Sequence, residues 1–225
     1  MTGAPIAVWM LLAGGAVRAA VAPSTRQQEL KSVADRWHST VIEVRARAAI
    51  PVVIDSAQQV VEMPSFGTGV LIGDGLALTM LHSVGAVLPG RVAAWSDVLA
   101  FVPDVGPLAA EIAAVFPELD LAVLRVTEVA SMNAAPLAAD LPSPGEPLIA
   151  MGIGDDAVNA IGVTVAAVSG HHLILRSNRR LDSRYWGGPL FDVQGRLVGI
   201  ITGSVLPRAV TSVALRDLID RVRRR

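Results

Sequence analysis

From Val41 onward the chain is a succession of short apolar runs rich in Val, Ile, Leu and Ala, each closed off by Gly, Pro, Asp, Asn or Ser. That punctuation constrains the fold more than any other feature, because the runs have the length of strands and are too short for core-spanning helices. The first group is Val41 to Val44, Val52 to Ile54, Val60 to Met63, Gly69 to Ile72, Leu76 to Met80, Ala109 to Val115 and Leu121 to Val126. Gly73-Asp74-Gly75 joins two of them with residues that tolerate the positive φ of a tight hairpin. A Pro-rich connector, Ala135 to Pro147, separates this group from Leu148 to Ile153, Ile161 to Val168, Leu173 to Leu175, Leu190 to Phe191, Leu197 to Thr202 and Val210 to Val213. Two groups of about six strands on either side of a connector predict an all-β chain of two packed, six-stranded antiparallel barrels.

Two helices flank them. Ser24 or Thr25 can cap a helix whose Leu30, Val33, Ala34 and Trp37 form one apolar stripe, and Leu215 to Val222 reads as a short closing helix. Arg223-Arg224-Arg225 suits the negative end of that helix. Residues 1–22 form a segment of their own: nothing from Met1 to Val17 is charged, and Ala20-Val21-Ala22 offers a small-x-small site. This is the pattern of a signal peptide, which implies an extracytoplasmic protein, periplasmic or secreted, or one anchored to the membrane through this segment if it is not cleaved. The expected division is therefore 1–22, then 24–134 with the N-terminal helix and first barrel, then 135–225 with the linker, second barrel and closing helix.

Composition narrows the chemistry. The hydrophobic content is 52% but aromatics make up only 4%, so the core is built from Ala, Val, Leu and Ile. A net charge of −1 argues against a nucleic-acid partner. Cysteine is absent, which excludes disulfides and thiolate metal sites. His171-His172 point to opposite faces of a strand and make a poor metal pair, so no metal and no other cofactor is expected.

Three stretches carry the functional signal. Gly67-Thr68-Gly69-Val70-Leu71-Ile72 precedes Leu78-Thr79-Met80-Leu81-His82-Ser83-Val84; Asp120-Leu121-Ala122-Val123-Leu124 opens a later strand; Ser183-Arg184-Tyr185-Trp186-Gly187-Gly188-Pro189-Leu190 comes last. In this order they resemble the blocks that bring the catalytic His, Asp and Ser of trypsin-type serine proteases together. Gly195-Arg196-Leu197-Val198-Gly199-Ile200 further resembles the strand that follows the serine loop in the bacterial HtrA-like branch. The resemblance covers roughly residues 38 to 222 and implies a chymotrypsin-like double barrel, with no residues left for the PDZ domain that HtrA-like proteases usually carry next.

One position departs from the pattern in a way that decides the expected chemistry. Aligning Gly187-Gly188-Pro189-Leu190 without a gap puts Trp186 where the family has its serine. Indole has one N–H donor and no nucleophilic lone pair, so no acyl-enzyme forms there. Arg184 stands where the family has the glycine whose N–H forms half of the oxyanion hole, and Tyr185 where Asn or Asp is usual. The resemblance thus implies a pseudoprotease. His82 and Asp120 are the vestigial catalytic pair, within hydrogen-bond reach across the inter-barrel cleft, and Arg184, Trp186 and Gly187 are the substrate-binding positions. Its partner is an extended peptide or a protein. Two alternatives stand beside it, an active serine-type endopeptidase with a displaced nucleophile and a purely structural domain. Trp186 either fills the former specificity pocket or shapes a ligand surface, and Arg176, Arg179, Arg180 and Arg184 form either a solvated basic face or an anion site.

Overall fold

The computed structural model describes residues 25–54, 57–88, 91–154, 157–203 and 207–224. The segment read as a signal peptide or anchor lies outside them. In chain order the elements are α1 (Thr25–Trp37), β1 (Val41–Ile54), β2 (Ala57–Gly73), β3 (Leu76–Met80), α2 (Leu81–Val84), β4 (Gly85–Leu88), β5 (Arg91–Ala94), β6 (Ser96–Val102), β7 (Gly106–Ala109), β8 (Glu111–Phe116) and β9 (Leu121–Arg125). After the connector come β10 (Pro147–Gly154), β11 (Ala157–Ser169), β12 (His172–Arg176), β13 (Pro189–Asp192), β14 (Leu197–Thr202), β15 (Arg208–Thr211) and α3 (Ser212–Arg223).

The C-terminal unit is a closed barrel of six strands in the order β10-β11-β12-β15-β14-β13. The N-terminal unit is a sheet in the order β7-β6-β1-β2-β3-β9-β8. Its two edge strands are consecutive in the chain, separated only by Ala110, whose N–H still bonds Val98 O at 2.9 Å. β7 and β8 thus act as one bent strand that pairs β6 with its first half and β9 with its second, which brings the sheet round on itself. A two-stranded sheet, β4 with β5, stands beside it.

Alternation of side chains across a strand explains how the barrels hold together. In β1, Ile42 and Val44 enter the N-terminal barrel's own core, while Val41 joins the core shared between barrels. In β9, Ala122 and Leu124 face in while Leu121 and Val123 face the partner barrel. In β10, Leu148 and Ala150 fill the C-terminal barrel while Ile149 and Met151 join the shared core. These strands are covered on both faces, so they read as continuous apolar runs. At roughly 1.5–3 kcal/mol for each large side chain fully buried, the shared core fixes the barrels against one another. α3 completes it with Leu215, Leu218, Ile219 and Val222.

Three details differ from the sequence reading. Val52 to Ile54 and Val60 to Met63 are the far ends of one long ribbon, β1 paired with β2 through Ile54↔Ala57, and not separate barrel strands. Residues 85 to 102, assigned no strand, contain β4, β5 and β6. α1, grouped with the first barrel, lies on the second: Arg26 Nη2 bonds Val163 O at 3.5 Å, Arg36 Nη1 bonds Gln194 O at 3.1 Å, and Trp37 stacks on Phe191 at 6.2 Å. The stripe on α1 determines that it packs but leaves its partner open.

Candidate active site

The register of two neighbouring strands builds the histidine–aspartate pair. β3 and β9 are antiparallel with Met80 opposite Leu121, so the next residue out on each, Leu81 and Asp120, also face one another at the barrel rim. Asp120 holds the left-handed conformation at φ 53°, which Asp tolerates better than most residues. From there it binds α2 three times. Its carbonyl accepts Leu81 N–H at 2.9 Å, its Oδ1 accepts His82 N–H at 3.1 Å, and its Oδ2 lies 2.7 Å from His82 Nδ1. Both groups come from the N-terminal barrel, within the 24–134 unit expected to carry them, because β3 and β9 are neighbours there, and they meet at its rim without spanning the cleft. The carboxylate assigns the proton of the neutral ring to Nδ1 and leaves Nε2 as the basic nitrogen. Among the described residues the imidazole has no hydrogen-bond partner besides Asp120.

Trp186 stands beside this pair. Its ring meets His82 edge-on, with centroids 6.0 Å apart and planes at 83°. The half-buried indole packs against both the shared core and the C-terminal barrel core. It also packs closely on Gly203, where an added Cβ would come within 2.7 Å of the indole.

Trp186 is held there by a turn that uses its own amides. Ser183–Tyr185 is a single 3-10 turn. Asp182 caps it, its Oδ1 accepting Arg184 N–H at 3.1 Å, while Trp186 N–H bonds Ser183 O at 3.2 Å. An oxyanion hole of the trypsin type uses the backbone N–H of the nucleophile and of the residue two before it, and here both equivalents point into the turn. The Arg184 guanidinium folds back on Asp182 as a fork, with contacts of 3.1 and 2.8 Å. This pairing holds the Asp182 carboxyl below its ordinary range. Burial pushes the Tyr185 phenol upward, since its ring belongs to the C-terminal barrel core.

Thr68 fastens the turn to both barrels. Its N–H donates to Trp186 O at 3.1 Å, its hydroxyl donates to Arg184 O at 2.6 Å, and the same oxygen accepts Ile153 N–H at 3.0 Å. Thr79 Oγ1 in turn donates to Thr68 O at 2.8 Å. Gly187, at φ 82°, passes so close that a Cβ would lie 2.1 Å from Thr68 O, and at Gly188 one would lie 2.1 Å from Met151 O.

Of the residues predicted from sequence, His82, Asp120 and Trp186 are together, Gly187 serves the turn, and Arg184 points to Asp182 while lining a small cleft with Phe66, Thr68 and Ile153. Sequence reasoning missed Asp182, Thr68 and Gly203. Only Asp182 left a signal, an Asp two residues before the amide it caps. Among the described residues no cluster of His, Asp and Glu could hold a metal ion, and no helix is long and apolar enough to cross a membrane. No hydroxyl among the described residues is hydrogen-bonded to this oriented base.

Two packed β-barrels with a His–Asp pair at the rim of the first and a Gly-Gly turn from the second define the chymotrypsin-like class. A family model described as the trypsin-like peptidase domain matches residues 67–200, more than half of the chain, and the chain belongs to that family. Among solved structures it is similar to the Rv3671c protease of M. tuberculosis in its active form, with a TM-score of 0.66, 19% identity, and 84% of this chain and 83% of that chain covered. It is also similar to AlgW, an HtrA-type protease solved with a decapeptide, with a TM-score of 0.73, 18% identity, and 86% and 66% covered. No curated protein matches.

Proposed function

We propose that this protein is a catalytically inactive trypsin-like protease homologue of the HtrA type that binds an extended peptide or a protein partner. The observation that carries the reading is Trp186. It precedes Gly187-Gly188-Pro189-Leu190, where the family has its serine, and its indole packs against His82 at 6.0 Å. A base with no hydroxyl at the serine position cannot start acyl transfer from there. The turn supports the same conclusion, since Asp182 and Ser183 O take the two amides that would stabilise an oxyanion.

A binding role draws on the cleft that leads away from the turn. A recess of about 120 Å³ beside Phe66, Ile153 and Arg184 adjoins, through Glu43 and Ile153, a larger one of about 440 Å³ lined by Phe101, Pro103 and Val105. Together they form a groove with aromatic walls, in which Arg45 pairs with Glu43 and lies over Phe66 and Phe101, suited to an extended segment that presents apolar side chains. The test is an array of ten-residue peptides, followed by titration of the best binders by fluorescence anisotropy. A subset should bind saturably and uncleaved, and Phe66→Ala, an exposed position, should weaken binding about tenfold (about 1.4 kcal/mol). Uniform failure of all peptides would assign the domain a structural role, and cleavage of bound peptides would make it an active endopeptidase.

A further inference from the structure

The basic loop has a second end. β12 closes on Arg176, and between that end and the first turn of α1 lies a cleft of about 340 Å³ lined by none of the residues of the His82 site. Arg26 and Gln27 wall one side, and Thr164 and Arg176 to Asn178 the other. No Asp or Glu is among the lining residues. Glu29, one turn along α1, lines the neighbouring cleft against Pro147 to Ile149.

Arg26, Arg176 and Ser177 bring donors with room for a ligand. Arg26 spends one N–H on Val163 O at a long 3.5 Å. The Arg176 guanidinium has no hydrogen-bond or ion-pair partner among the described residues. Ser177 Oγ accepts Arg179 N–H at 3.1 Å, so its own proton stays available to donate. Two guanidiniums lining one cleft repel each other until an anion lies between them, and their planar forks match tetrahedral oxyanions well.

We propose that this cleft binds a phosphate group, carried by a small phosphate monoester. The charge match favours phosphate over carboxylate: two guanidiniums face a group that carries about −1.5 to −2 at neutral pH. The volume exceeds what a bare phosphate fills and lies within the range of small-ligand sites. The anion-site reading of the loop arginines is thereby assigned to Arg176 with Arg26, and Arg184 belongs to Asp182.

Isothermal titration calorimetry on the full chain at low ionic strength tests the site with three ligands: inorganic phosphate, glycerol 3-phosphate and acetate. Glycerol 3-phosphate should saturate a single site. Arg176→Gln and Arg26→Gln should each weaken binding at least tenfold, and Arg125→Gln, on β9 of the other barrel, by less than twofold. Circular dichroism confirms folding of each variant, and because the two arginines lie on separate elements, either variant alone decides the matter. Tighter binding of inorganic phosphate than of the ester would overturn the assignment to a monoester. Absence of saturation, equal loss in Arg125→Gln, or acetate binding as tightly as phosphate would overturn the site itself.

Discussion

Trp186 changes more than the group it replaces. A serine-to-alanine change would leave a gap beside His82; an indole fills it, leans on Gly203 and caps the imidazole edge-on. Removing the indole alone therefore leaves the second obstacle, the turn in which Asp182 holds the Arg184 amide. Trp186→Ser alone should stay close to background on an unfolded casein substrate. Adding Asp182→Ala and Arg184→Gly, which free that amide, should raise turnover by a further hundred- to thousand-fold, the usual worth of one oxyanion donor. Tyr185 is left in place because its ring is buried in the barrel core. Equal turnover of the single and triple variants, with His82→Ala as the blank, would show that the turn is no obstacle. At this scale the sequence is a good guide where spacing encodes geometry. His82, Asp120 and Gly187 are legible because each sits in a short block that resembles a trypsin-type motif. Thr68 and Gly203 are not, because their importance lies in contacts with Arg184, more than a hundred positions downstream, and with Trp186, well outside any local window, that no local pattern encodes.

The turn from Asp182 to Gly188 is an element whose shape depends on close backbone approach and owes nothing to a nucleophile. Gly187 and Gly188 press on opposite barrels, on Thr68 O and Met151 O, so neither position has room for a Cβ. Gly187→Ala adds left-handed strain to a collision and should cost about 2–5 kcal/mol. Gly170→Ala is the internal control, since Gly170 also has positive φ, at 55°, but an added Cβ meets nothing within 4 Å. It should cost only about 1–2 kcal/mol. The difference should appear in thermal unfolding as a Tm lower by several degrees for Gly187→Ala, at about 2–4 °C per kcal/mol for a domain of this size. Equal Tm values would mean that the turn relaxes away from Thr68.

Across the whole molecule, the two-barrel plan is legible because its strands are short, punctuated and, in β3, β9 and β10, apolar on both faces. β6 is harder to find for the same reason that it packs well. Val98, Ala100 and Val102 are buried, but the intervening Leu99 and Phe101 are apolar too, so the alternation that marks a half-buried strand is erased. The long β1–β2 ribbon reads as separate strands because Pro51 and Pro64 punctuate it. The His82–Asp120 pair is formed wholly by the register of β3 and β9, so the frame of the site survives whatever occupies position 186. An oriented base thus remains, held by a scaffold that does not need catalysis to persist, and the account stands or falls on whether any hydroxyl reaches it. Reaction of the purified protein with a fluorophosphonate probe, read by intact mass spectrometry beside His82→Ala, measures this directly. The account predicts no adduct on either protein. Stoichiometric labelling of one serine in the wild type, lost in His82→Ala, would contradict it.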